Sequence, residues 1–310
     1  MPLSFFVEMI IVALLIITTI LWAFSFSLIG EYLAGHVDSY FSVLMRVGLA
    51  ALVFLPFLRT RGQSLKTLAL YMLVGALQLG VMYLFSFRAY LYLTVSEFLL
   101  FTVLTPLYIT LIYDLLSKRP LRWGYVLSAG LAVVGAAIIR YDKVSDHFWT
   151  GLMLVQLANI SFAIGMVGYK RLMETHPMPQ HSAFSWFYLG AFVVAVIAWF
   201  ALGNPQKLPT TNLQWGILVW LGVAASGLGY FMWNYGATQV DAGTLGIMNN
   251  VHVPAGLLVN LAIWQEQPHW PSFIIGGAVI MASLWVHRRW VAPHSAQTAV
   301  NHRRADAPAE

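Results

Sequence analysis

Three charged residues, Arg46, Arg88 and Glu97, lie within long apolar stretches of the first third of the chain. A charged side chain in such a stretch is costly to bury, so its presence indicates a functional site or an ion pair. An arginine guanidinium can hold a carboxylate through two parallel hydrogen bonds, which an ammonium group cannot do. These residues therefore predict a binding site for an anionic solute, with Arg46 as the favoured ligand of its carboxylate.

The acidic residues of this region have structural alternatives. Glu97 could bind substrate or a proton, or it could neutralise one of the two arginines and hold neighbouring helices together. Asp114 lies four residues before Lys118, a spacing that places the two side chains on the same face of a helix. For Asp114 an ion pair near the end of its helix is the simpler interpretation.

A second polar group, made of neutral side chains, directly precedes Pro254. Asn249 and Asn250 offer amide donors and acceptors that suit a ureido or amide group on a ligand. His252 could bind the same ligand, and its titration near neutral pH could couple the site to protons. Interhelical hydrogen bonding is the alternative for all three residues. Further amides of this kind belong to Asn159, Asn234 and Gln239.

Aromatic residues make up 15% of the sequence, and Trp22 and Tyr83 are the two that we individually expect to stack on a ring-shaped solute. Catalytic and metal-binding residues are not expected. The chain has no cysteine and no glycine-rich nucleotide loop, and its nine histidines show no metal-ligand spacing with Asp or Glu. An intramembrane enzyme, a metal site and a bound cofactor are therefore disfavoured.

The elements that position these residues must be membrane helices. Hydrophobic residues make up 59% of the chain and charged residues 9%, whereas soluble domains carry about 25% charged residues. A helix crosses the hydrocarbon core with roughly 20 apolar residues. Apolar runs between polar or Pro/Gly breaks predict ten spans: Ile10–Ile29, Tyr40–Leu58, Thr67–Ala89, Val95–Leu116, Trp123–Ile139, Gly151–Tyr169, Ala183–Leu202, Leu213–Tyr235, Ala242–Trp264 and Pro271–Trp290.

The distribution of lysine and arginine predicts how the spans are oriented. With a cytoplasmic N-terminus, 12 basic residues lie on the inner side and three on the outer side, and Arg46 and Arg88 lie within spans. The opposite orientation would invert this ratio, so both termini are expected in the cytoplasm. The basic residues thus report membrane topology, and the net charge of +5 does not indicate a nucleic-acid partner.

An internal repeat is visible in the sequence. A shift of 148 residues superposes Ala89 on Ala237, Ser96 on Thr244, Pro106 on Pro254 and Pro120 on Pro268. Because five helices per unit is an odd number, the second unit must enter the membrane in the opposite orientation. We therefore expect a first repeat over residues 10–145 and an inverted second repeat over 146–290. A lead over residues 1–9 precedes them, and a polar tail over 291–310, expected to be disordered, follows them.

Several motifs resemble those of the drug/metabolite transporter superfamily with EamA-type repeats. They are Trp22-Ala-Phe-Ser-Phe in the first span, and Ala89, Thr94, Ser96 and Thr105-Pro106 leading into a basic turn. Longer stretches over 38–62, 86–114 and 236–264 are similar to biotin permeases of that superfamily. The resemblance implies an all-α fold of ten helices in two inverted repeats, and biotin uptake across the bacterial inner membrane.

These observations leave two directions of transport open. The first is import of a carboxylated small molecule, with biotin implied by the resemblance, by alternating access at a cavity between the repeats. The second is export of amino acids or drug-like metabolites on the same fold. The net-positive outer region of the first repeat favours import. The expected partners are the small-molecule substrate, the lipid bilayer, protons as a candidate coupling ion and a second copy in a homodimer.

Overall fold

The computed structural model describes residues 3–60, 62–116, 123–139, 146–239, 253–265 and 269–290 of the 310-residue chain. Within these ranges all regular secondary structure is helical. The ten helices are α1 (Leu3–Leu28), α2 (Ser39–Phe54), α3 (Leu65–Ala89), α4 (Val95–Leu116), α5 (Trp123–Ile139), α6 (Asp146–Thr175), α7 (Gln180–Leu202), α8 (Asn212–Gln239), α9 (Val253–Trp264) and α10 (Trp270–Trp290).

The helices agree with the predicted all-α membrane fold. Seven of the described helices are long and apolar enough to cross a bilayer, and shorter apolar helices lie within α5, α9 and α10. α6 is the most extended relative to its predicted span, since it runs from Asp146 to Thr175. The predicted span Ala242–Trp264 is described from Val253 onward.

Side-chain caps explain where several helices begin. The first turn of a helix leaves backbone N–H groups without partners, and short polar side chains satisfy them. Asp38 accepts a hydrogen bond from the Phe41 N–H at 2.9 Å at the start of α2. At the start of α4, Thr94 and Glu97 form a reciprocal capping box. This box stabilises the start of α4 directly after the short connection from α3.

Two helices contain π-helical segments at corresponding positions of the repeat. The segment Ala76–Val81 interrupts α3, and Leu221–Leu228 interrupts α8. A shift of 148 residues places Ala76 on Ala224, inside the second segment. π-helical insertions are frequent at functional sites because they re-aim side chains. The duplication therefore preserves a local irregularity as well as the order of the helices.

α4 is broken at Val103 and Leu104, just before Pro106. Proline has no N–H and clashes with the carbonyl one turn earlier, so the preceding carbonyl groups need other donors. The Thr105 hydroxyl donates to the Thr102 carbonyl at 2.6 Å, and the Asn159 amide donates to the Phe101 carbonyl at 3.0 Å. The break is thus stabilised by one side chain of α4 and one of α6.

Helix packing follows the repeat. α2 packs against α7, and α5 packs against α10. α3 packs between α6 and α7, as α8 packs between α1 and α2. Exchanging the two five-helix halves maps each of these contacts onto another contact, which is the arrangement expected of a pseudo-twofold axis. Glycines allow the closest approaches, since a Cβ at Gly75 would lie 1.8 Å from the Phe187 carbonyl oxygen.

Candidate functional site

An internal cavity lies between α1, α2, α3, α4, α6 and α8. About 80 Å³ of it is open to water-sized molecules. Its wall is largely aromatic, with a few polar groups. The aromatic members are Trp22, Phe26, Tyr83, Phe87, Tyr90, Phe98, Phe162 and Tyr230, and the polar members are Ser25, Arg46, Ser86, Thr102, Thr105 and Asn159. An apolar cavity with a few convergent polar groups is the usual form of a small-molecule site.

Arg46 is the charged member of this wall. It lies two turns into α2 and is only 3% exposed. Its Nε donates to the Ser226 hydroxyl at 2.6 Å, and its guanidinium carbon lies 4.1 Å from the centre of the Tyr83 ring. Among the described residues no carboxylate lies within ion-pair distance of it. A buried charge without a counter-ion is expensive, so the cavity favours an anionic occupant.

Ser226, a residue that the sequence did not single out, accepts the hydrogen bond that orients Arg46. The serine lies in the π-helical segment of α8, and its hydroxyl also bonds the Tyr83 hydroxyl at 2.8 Å. The Tyr188 hydroxyl donates to the Ser226 backbone carbonyl at 2.6 Å. A serine in an apolar run carries little signal in a sequence, because its role depends on the local helix geometry.

The aromatic wall is itself held in place. The Trp22 indole N–H donates to the Ala225 carbonyl at 3.1 Å, and its ring centre lies 4.6 Å from that of Tyr230. On the other side, Tyr90 stacks on Phe98 with ring centres 4.2 Å apart and planes 17° from parallel. Fixed aromatic faces provide a large contact area for a ring-shaped solute.

A neutral polar patch lies where α4 is broken. The Thr105 hydroxyl oxygen, whose hydrogen bonds the Thr102 carbonyl, also lies 3.2 Å from the Asn159 amide oxygen. The Asn159 amide nitrogen also lies 3.3 Å from the Gln156 side-chain oxygen, which accepts from the Tyr108 hydroxyl at 3.1 Å. Asn159 is 4% exposed and lines the cavity. The wall therefore offers neutral hydrogen-bonding groups on α4 and α6, in addition to the cation on α2.

Three of the predicted site residues meet in the cavity. Trp22, Arg46 and Tyr83 all line it and are all buried. Arg88 is not among the lining residues. It is half-buried, and its guanidinium carbon lies 5.9 Å from the centre of the Tyr40 ring. Glu97 is buried at the start of α4, where its carboxylate accepts from the Thr94 N–H at 2.9 Å.

The remaining predicted residues are either outside the described ranges or away from the cavity wall. Asn249, Asn250 and His252 lie outside the described residues. Asp114 is fully buried, whereas the sequence favoured an interfacial position for it. Its expected partner Lys118 is also outside the described ranges. Within those ranges, no cluster of three His, Asp or Glu side chains is arranged to hold a metal ion.

A second polar contact lies further along α3 and α8. The Gln78 side-chain nitrogen donates to the Asn234 side-chain oxygen at 3.0 Å, and the Asn234 nitrogen donates back to Gln78 at 3.2 Å. Both side chains are fully buried. On both helices this pair lies beyond the cavity, towards the end of the bundle where α3 begins and α8 ends.

Comparison with protein families and known proteins places the chain among membrane transporters. The profile of the EamA-like transporter family matches residues 9–141 and again residues 149–288. The first match contains most of α1 to α5, and the second contains most of α6 to α10. Two matches of five helices each agree with the internal repeat.

Named relatives are similar over nearly the whole chain. The biotin transporter of Escherichia coli K12 is 83% identical over 94% of this chain and 98% of its own length. The biotin transporter of Salmonella typhimurium is 81% identical over 96% of this chain and 100% of its own. The "Probable biotin transporter" of Pseudomonas aeruginosa is 55% identical over 88% of this chain and 96% of its own.

A crystal structure with 18% sequence identity superposes with a TM-score of 0.64, covering 90% of this chain and 97% of that one. At this identity the likeness supports the fold alone.

Proposed function

Because the chain belongs to the EamA-like transporter family, we propose that it imports biotin across the bacterial inner membrane and binds the carboxylate of biotin at Arg46. The observation that carries this proposal is the buried Arg46 guanidinium, which lines the cavity without a carboxylate partner among the described residues. A bound carboxylate would supply the missing negative charge through a charge-assisted hydrogen bond.

The chemistry of biotin matches the rest of the wall. Biotin carries its carboxylate at the end of an aliphatic chain and a ureido group on a fused ring system. The aromatic faces of Trp22, Tyr83 and Phe98 suit the ring and chain. The Asn159 side-chain oxygen has two lone pairs, so it can accept from a ureido N–H in addition to its contact with Thr105. The relatives named biotin transporters, which are at least 81% identical in two enterobacteria, support the same substrate.

Import by alternating access requires the helices around the cavity to open it first to one side of the membrane and then to the other. Such movement is expected where the helical backbone around the cavity is irregular. These places include the break in α4 and the π-helical segments of α3 and α8.

The chain is a multi-pass bacterial membrane protein and a transporter rather than an enzyme, as its relatives indicate. Cytoplasmic termini, proton coupling and a homodimer remain predictions from the sequence. If both termini are cytoplasmic, the Arg46 cavity lies nearer the periplasmic ends of α2 and α4. A cation at that depth favours capture of an anion from outside over export.

Uptake of radiolabelled biotin tests the proposal directly. The chain is expressed in cells that lack other routes of biotin entry, beside an empty-vector control. We expect accumulation above the control, inhibited by unlabelled biotin and little affected by its neutral methyl ester. Uptake no higher than the vector control would contradict import. Resistance of the expressing cells to toxic amino-acid analogues would instead support the exporter alternative.

A further inference from the structure

Tyr90 carries a buried hydroxyl that no described residue hydrogen-bonds. The residue follows the last residue of α3, is 7% exposed, and lines the cavity together with Arg46. Its hydroxyl oxygen is buried and makes no hydrogen bond in the part of the chain that the structure describes. More than nine in ten buried polar groups in proteins are paired, so an orphaned hydroxyl in a cavity wall needs an explanation.

The Tyr90 ring is held in place by contacts with two neighbouring helical segments. It stacks on Phe98 at 4.2 Å between ring centres. One edge of the ring lies near Gly30 in the π-helical turn that follows α1, since a Cβ at Gly30 would be 3.6 Å from the Tyr90 Cδ1 atom. A ring fixed by two neighbouring helices cannot easily turn its hydroxyl towards another protein group. The missing partner is therefore expected to come from the cavity.

The charge nearby indicates what that partner is. Tyr90 and Arg46 line the same cavity. Among the described residues, Arg46 has no carboxylate partner and the Tyr90 hydroxyl has no hydrogen-bond partner. A single carboxylate in the cavity would satisfy both, because its two oxygens can accept from a guanidinium N–H and from a phenol O–H at once.

We propose that Tyr90 is a substrate-binding residue, whose hydroxyl donates a hydrogen bond to the carboxylate that Arg46 neutralises. This inference rests on the proposed function, because it takes biotin as the carboxylate. It adds a second ligand to the carboxylate site and explains an unsatisfied group that packing alone leaves unexplained.

The test is Tyr90→Phe, which removes one oxygen and keeps the ring that stacks on Phe98. A matched control is Tyr71→Phe, because Tyr71 is also buried but lies away from the cavity. The Tyr71 hydroxyl has partners, the His176 carbonyl at 3.0 Å and the Met173 sulfur at 3.1 Å. Purified wild type and both variants are assayed for melting temperature without ligand, and for affinity towards biotin and biotin methyl ester.

The two variants should affect different properties: biotin affinity in Tyr90→Phe, and melting temperature in Tyr71→Phe. Tyr90→Phe removes an unsatisfied group, so its melting temperature without ligand should equal or exceed that of the wild type. Its biotin affinity should fall roughly 10- to 100-fold, the range for a hydrogen bond to a charged acceptor. The preference for biotin over the methyl ester should shrink with it. Tyr71→Phe should melt at a lower temperature and bind biotin as the wild type does.

Wild-type biotin affinity in Tyr90→Phe would overturn the proposal. A lower melting temperature in Tyr90→Phe with an unchanged preference over the methyl ester would overturn it too, because that result indicates a structural role. If the wild type itself shows no biotin binding, the proposed function fails and the Tyr90 assignment fails with it. That outcome differs from a wild type that binds biotin beside an equally competent Tyr90→Phe variant.

Discussion

Two buried polar regions both involve α3 and α8, and they differ in whether their polar groups have partners among the described residues. Gln78 on α3 and Asn234 on α8 exchange two hydrogen bonds of 3.0 and 3.2 Å. Arg46, held by Ser226 of α8 and Tyr83 of α3, has its Nε and one face of its guanidinium engaged but no counter-ion among the described residues. The first region needs nothing further, whereas the second favours a ligand.

Whether a buried polar group already has a partner distinguishes structural groups from candidate binding groups. The residue type alone does not. Asparagine and glutamine inside a membrane bundle are candidates for ligand contact by composition alone, and so is arginine. Pairing decides between them, because a satisfied amide pair gains little from a ligand that must first break it. Removing each region should therefore have opposite consequences for stability and for transport.

The largest expected effect on transport comes from Arg46→Ala. Without the guanidinium, the carboxylate would enter the cavity without compensation, so biotin uptake should fall to the vector background. The melting temperature without ligand should not fall, because the variant removes a buried charge that lacks a counter-ion. Uptake of radiolabelled biotin and thermal unfolding of the purified protein measure the two effects.

Arg46→Lys is the matched control for this prediction. Lysine keeps the charge but not the planar fork, so it should retain part of the uptake. Normal transport by Arg46→Ala at equal expression would contradict the role of Arg46 as carboxylate ligand. Arg88 would then be the next candidate.

The largest expected effect on stability comes from Asn234→Ala. The change leaves the buried Gln78 amide without its partner, which should cost about 1–2 kcal/mol of unfolding free energy. The biotin affinity of the folded protein should stay within about threefold of the wild type, since that factor is under 1 kcal/mol. Thermal unfolding and ligand titration measure the two quantities.

Replacing both partners, as Gln78→Leu with Asn234→Leu, should recover much of the lost stability because no polar group remains unpaired. If Asn234→Ala keeps full stability and loses biotin binding, the amide pair belongs to the binding site and the contrast between the two regions fails.

The sequence predicted the all-α membrane fold, and it singled out Arg46 of the cavity wall but not Ser226, which contacts it. Arg46 stands out because a charge is conspicuous in an apolar run. Ser226 does not, because its contact with Arg46 depends on a π-helical segment that the composition of the run does not reveal. Glu97 shows the opposite case. The spacing of Thr94 and Glu97 before an apolar run is a capping-box signature, yet the scarcity of intramembrane charge favoured a substrate or ion-pair role over a cap.

A smaller effect is expected from Tyr83→Phe, which sharpens the account of how Arg46 is positioned. The variant keeps the ring beneath the guanidinium and removes the hydroxyl that bonds Ser226 at 2.8 Å. One hydrogen bond is worth about 0.5–1.5 kcal/mol, so biotin affinity should fall a few-fold.

Tyr83→Leu should lose more, because it also removes the aromatic face that the Arg46 guanidinium contacts. Both affinities are measured by titration of the purified proteins. Equal losses in the two variants would show that the ring contributes nothing to holding Arg46.

The smallest effect on uptake is expected from Arg88→Ala. This variant tests whether a positive charge outside the cavity helps to attract the anionic solute. Arg88 is half-buried, and its guanidinium carbon lies 5.9 Å from the centre of the Tyr40 ring. A cation–π contact of this kind contributes about 0.5–1 kcal/mol at exposed sites. Biotin uptake should therefore change by less than about fivefold.

If Arg88 steers anions over a distance, its loss should matter more at low ionic strength, where screening is weak. Comparing initial uptake rates at low and moderate salt separates steering from contact. A salt-independent loss as large as that of Arg46→Ala would place the carboxylate beside Arg88, outside the described cavity, and the unpaired charge of Arg46 would then need a different explanation.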